Sequence, residues 1–196
     1  DLPGIAAEGQ PLGANIRRVI DALALLGRPL PESDVAALRE AAQQRDPARL
    51  QSLLDKQVLL AVAINPESRV KVLRGPAPAQ LQQGGYTPMV VKVINESTGT
   101  QRLRVTSPQS GPVYAGVAPL SMRRQQHLEL GENPNQAGDK DRFLGVEMFA
   151  APPMTDKLSG LEVEYAIALI YCHEAGKREA TIGFDVEQGN QDLGFR

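Results

Sequence analysis

With 196 residues the chain can build one well-buried domain, or one domain with a helical appendage, but not two large domains. A formal net charge of −2, with basic residues clustered only in pairs such as Arg17-Arg18 and Arg123-Arg124, argues against nucleic acid as a partner. The lack of tryptophan, with four tyrosines and four phenylalanines, argues against aromatic platforms for bases or sugar rings, and no apolar run is long enough to span a membrane.

Residues 1–12, small and polar around Pro3, Gly4, Gly9 and Pro11, read as a flexible lead. The first residue, Asp1, reads as the product of N-terminal removal, either by processing or by the choice of the segment expressed, and export to the periplasm or cell surface is an expectation alongside it. From Gly13 the spacing becomes helical. Ile16, Val19, Ile20, Leu23 and Leu26 fall on one stripe, which Gly27 and Pro29 stop. Pro31, Glu32 and Asp34 then mark the start of a second helix, with Val35, Leu38, Ala41 and Ala42 facing inward. Asp46-Pro47 repeats the start signal for a short third helix that buries Leu50, Leu53 and Leu54. Residues 13–55 are therefore expected to be a helical segment.

At Gln57 the period changes to two. Val58 to Ile64 is apolar on both faces and reads as a central strand ended by Asn65-Pro66, and Arg69 to Val72 follows as a half-exposed strand. Met89 to Ile94 and Leu103 to Val105 read as a hairpin across the polar turn Asn95 to Thr100. Asn95-Glu96-Ser97 is formally a glycosylation acceptor, but it also describes an ordinary hairpin turn, and the turn reading wins unless the host glycosylates exported proteins. Val113-Tyr114 and Met122 to Leu130 are expected short strands, and Arg142 to Phe149 resumes alternation.

The strongest pattern runs from Leu161 to Val186. Leu161, Val163, Tyr165, Ile167, Leu169 and Tyr171 alternate with Glu162, Glu164, Ala166, Ala168 and Ile170. This predicts a strand covered on both faces, its Glu-bearing start in solvent, folding back as a hairpin through His173 to Gly176 onto Ala180 to Val186. About eight strands without intervening helices predict a mainly β protein. The expectation is an Ig-like antiparallel β-sandwich over residues 56–196, preceded by the helical segment.

Candidate sites are few. Cys172, the one cysteine, can form no internal disulfide and fits a buried strand position. His127 and His173 are the only bases of their kind, and His173 would point away from Cys172 on an extended strand. No catalytic residue and no cofactor site is therefore assigned. Oxygen-rich loops supply the candidates for Ca²⁺: Asp139 and Asp141 with their neighbours Glu132, Asn133 and Asn135, and Asp185 and Asp192 with Glu187 and Asn190. Neither set has an EF-hand spacing, and solvated turns have the same composition.

Several phrases carry a family resemblance: Ile64-Asn65-Pro66-Glu67-Ser68-Arg69-Val70-Lys71-Val72, Val91-Lys92-Val93-Ile94-Asn95-Glu96, and Ala175-Gly176-Lys177-Arg178-Glu179-Ala180-Thr181-Ile182-Gly183-Phe184-Asp185-Val186. With Leu54-Asp55 they make the region from about Leu54 to Arg196 resemble the non-catalytic N-terminal portion of exported planctomycete-type proteins. The later part of those proteins is a metal-dependent hydrolase of the PHP or CehA/McbA type. The resemblance implies an accessory module with a neighbouring hydrolase domain or protein as partner. The His-x-His pair of that hydrolase part does not occur here, so no catalytic residue carries over. The alternative expectation is a Ca²⁺-dependent carbohydrate-binding module, or a hydrolase, using the Asp and Asn loops. Tyr86, Met154 and Phe195 are the apolar residues expected to contact a partner.

Overall fold

The structure is a computed structural model that describes residues 2–110 and 143–186. Helix α1 (Gly9–Leu25) starts at Gly9 rather than at Gly13, and buries Leu12, Ile16, Val19, Ile20 and Leu23 along the expected stripe. Its end follows from glycine. Gly27 adopts φ 75°, so that its N–H reaches Ala24 O and the Arg28 N–H reaches Leu23 O, closing the helix in a Schellman motif. Helix α2 (Glu32–Gln43) turns inward Leu38 and Ala41, and α3 (Pro47–Leu54) follows a corner at Arg45. The Asp46 carboxylate accepts the Arg49 N–H at 2.9 Å, the N-cap that Asp46-Pro47 announces. Gly9 lies against the Arg45 carbonyl so closely that a Cβ there would collide with it. Glycine is therefore what lets the first turn of α1 rest on the α2–α3 corner.

The 3₁₀ turn Asp55–Gln57 leads into the first of seven strands among the described residues. These are β1 (Val58–Ile64), β2 (Val70–Arg74), β3 (Gly85–Asn95), β4 (Leu103–Thr106), β5 (Leu144–Met148), β6 (Val163–Cys172) and β7 (Gly183–Val186). Five form one sheet in the order β2-β1-β3-β6-β5, and β4 pairs with β7 in a second. β6 is flanked by β3, in antiparallel register from Gly85↔Cys172 to Ile94↔Val163, and by β5 from Leu144↔Cys172 to Met148↔Ala168.

The fold is thus sheet-rich with an N-terminal helical segment, and three of its pairings differ from the expected ones. β6 and β7 do not form a hairpin: β6 is interior to the large sheet, while β7 pairs with β4. β3 and β4 do not form one either, since they lie in different sheets. β1 and β3 run parallel, so the large sheet is mixed rather than wholly antiparallel. The physical reason is common to all three. Alternation states which face a side chain occupies and is silent on which strand lies alongside. The expected strands at Val113-Tyr114 and Met122 to Leu130 lie outside the described residues.

Two apolar cores result, one on each face of the large sheet. On one face Val91, Val93, Ala168 and Ile170 pack with Leu103, Val105, Phe184 and Val186 of the small sheet. On the other, Val90, Val163, Tyr165, Ile167 and Leu169 pack with Leu12, Ile16, Val19, Leu50 and Leu54 of the helices. The helical segment is therefore a covering layer, and the double coverage expected for β6 is present. Leu2, Ile5 and Ala7 pack against the helical core. Gln51 fastens this lead, accepting the Ile5 N–H at 2.9 Å and donating to the Ile5 carbonyl at 2.7 Å, as a neighbouring strand would.

Candidate functional site

The polar groups buried between the helices and the sheet form one connected set. Lys92 on β3 points to the helical side with 0% exposure, and its Nζ donates to Asp55 Oδ2 and to the Pro3 carbonyl, each at 2.8 Å. The other oxygen of Asp55 accepts the Tyr165 hydroxyl at 2.7 Å. Burial, reinforced by the Asp55 charge and by the hydrogen bond to it, pushes the Tyr165 hydroxyl far above its usual range, so it remains a protonated donor. One carboxylate thereby ties the helix–sheet junction to two neighbouring strands. Among the described residues, no buried side-chain nitrogen or oxygen lacks a partner.

A second polar contact marks where β5 ends. β5 stops at Met148, and one further bond, from the Phe149 N–H to Ile167 O at 2.8 Å, closes the ladder. Beyond it the backbone of Tyr165 has no strand on that side among the described residues. Asn15 of α1 takes the vacant place, accepting the Tyr165 N–H at 2.7 Å and donating to the Tyr165 carbonyl at 3.0 Å. The same strand ending opens a cleft of about 650 Å³ between α1, β4, the ends of β5 and β6, and the segment 149–158. Leu103, Met148 and Phe149 supply apolar surface, and Arg18, Arg102 and Arg104 supply cationic groups.

Glu164 lines this cleft, 6% exposed, and both carboxylate oxygens accept the Ser159 N–H, at 2.9 and 3.2 Å. Burial raises its carboxyl above the usual glutamate range, against the lowering effect of Ser159 and Arg18. The Glu-bearing start of β6 is therefore only half in solvent: Glu162 is exposed and Glu164 is not. Arg102 pairs with Asp156 at 2.6 Å, and Arg104 with Asp185 at 2.7 Å.

Most of the sequence-derived candidates lie elsewhere. Asp185 is on β7 with its carboxylate on Arg104, while Asp139, Asp141 and Asp192 lie outside the described residues, as does His127. No group of three or more His, Cys, Asp and Glu able to hold a metal ion occurs among the described residues. Cys172 is buried in the core facing the small sheet, and His173 is exposed beside Tyr171, at 6.5 Å between rings. Asn95 is 0% exposed, and its side-chain amide donates to Gly99 O at 2.8 Å within a turn. The turn reading of Asn95-Glu96-Ser97 therefore applies, and the amide is closed to a glycan. Of the residues expected to meet a partner, Met154 is buried, Tyr86 is half-buried at 5.4 Å from the Tyr171 ring, and Phe195 lies outside the described residues.

Sequence reasoning did not single out Lys92, Asp55, Tyr165, Asn15 or Glu164 as a group. One signal was available. Lys92 interrupts Val90-Val91 and Val93-Ile94, a run apolar on both faces, and a lysine there requires a buried partner. No helix among the described residues is long and apolar enough to cross a membrane. Compared with protein-family models, with curated proteins and with solved structures, the chain matches none.

Proposed function

We propose that the chain is a non-enzymatic accessory module of an exported bacterial protein, one that packs against and positions a neighbouring metallohydrolase-like domain. The observation that supports this reading is the closed polar set Lys92–Asp55–Tyr165. These groups have the chemistry of an acid–base site, yet they are turned on one another and on the Pro3 carbonyl, where they hold layers together. Residues 56–196 are read with it as an Ig-like sandwich. Two sheets facing each other across an apolar core support that reading, and the parallel β1–β3 pair is its departure from an all-antiparallel sandwich.

The gene and a turnover assay test the proposal together. An open frame that continues past Arg196 into a His-x-His segment is the expected result, with hydrolysis of phosphoesters and related esters only by the longer protein loaded with Zn²⁺ or Mn²⁺. Metal-dependent turnover by the 196-residue chain alone would overturn it.

A further inference from the structure

We propose that the cleft between α1, β4 and the segment 149–158 binds a small carboxylate carried on an apolar body, with the Arg18 guanidinium receiving the acid group. This goes beyond the accessory-module reading and does not depend on it, because such a ligand fits a chain acting alone as well as one beside a second domain.

The dimensions suit a small molecule, since about 650 Å³ lies within the roughly 300–1,000 Å³ usual for such sites. The charges narrow the class. Arg102 and Arg104 are already paired with Asp156 and Asp185, whereas the side chain of Arg18, half-buried on the cleft wall, makes no hydrogen bond to any described residue. Its nearby counter-charge is Glu164, but no hydrogen bond or ion pair joins the two side chains, and the Glu164 oxygens accept the Ser159 N–H instead. A partly desolvated guanidinium fork thus remains for a planar acid, which it can bind through two parallel N–H bonds. The apolar surface of Leu103, Met148 and Phe149 lies in the same cleft, so the acid must carry an apolar body to displace water from it. Sugars and fully polar acids fail that second requirement.

A medium-chain fatty acid and the free C-terminus of an apolar peptide share this chemistry, and two probe pairs separate them. Calorimetric titrations compare octanoate with octanol, and a tetrapeptide ending in Leu-Phe as the free acid with its amide. The proteins are the parent, Arg18→Gln, and Arg69→Gln as a control, Arg69 being an exposed residue paired with Glu67. At least one acid is expected to bind the parent and Arg69→Gln alike, with its neutral counterpart and the Arg18→Gln variant each weaker by about tenfold or more. The pair that binds identifies the source. Arg18→Lys keeps the charge and loses the fork, and it is expected to fall between parent and Gln. Two results overturn the proposal: no binding of either acid, or equal binding by folded Arg18→Gln as judged by its melting temperature.

Discussion

At the scale of single residues, Glu164 is held between opposing demands. Its hydrogen bonds to Ser159 and the proximity of Arg18 favour the carboxylate, while burial favours the acid, and burial prevails. Its folded-state pKa therefore stands above its unfolded value. The stability it contributes is complete below the unfolded pKa and is lost as pH rises through the folded one. Other carboxylates titrate over the same range, so the comparison must be with a variant. Thermal melts from about pH 4 to about pH 7 should show the parent losing stability relative to Glu164→Gln as pH rises. Parallel profiles would show that this carboxyl does not couple to folding.

At the scale of elements, what matters is how a helix is registered on a sheet. Apolar side chains press α1 against β6 without fixing its position along the strand, because area burial has no direction. Asn15 supplies the direction, as its amide and carbonyl match one peptide unit at Tyr165 where β5 has ended. Asn15→Ala should leave that N–H and C=O buried and unpaired, at a cost of about 1–3 kcal/mol in urea denaturation. Amide exchange at Tyr165 should accelerate more than at Val91, which lies deeper in the sheet. Equal protection at both sites in parent and variant would show that apolar packing alone sets the register. Gln51 treats Ile5 in the same way, so residues 2–7 are held as a strap where composition suggested a loose lead.

At the scale of the whole molecule, β6 is the plane on which the layers meet. Its alternate side chains enter the helical core and the core under the small sheet, and Ile167 is 0% exposed. Ile167→Asp would place an unpaired charge there, and the chain is expected to be unfolded at room temperature by circular dichroism. A soluble variant with the parent melting temperature would show that the helices can leave this face.

The three helices, their caps at Asp46 and Gly27, the apolar face of each strand and the burial of Cys172 could all be read from the sequence. They depend on spacing and on local backbone chemistry within a few residues. The pairing of β6 with β3 and β5, the parallel β1–β3 contact and the position of β7 on β4 could not, because period-two alternation is satisfied by any neighbour of suitable length. Asp185 shows the same limit at a candidate site: its charge suggested a ligand, and an arginine on another strand takes it. Lys92 and Asp55 are 37 residues apart in the chain, and Asn15 and Tyr165 are 150 apart. The polar junction and the cleft beside it are made by such distant pairs, so only the tertiary structure decides them.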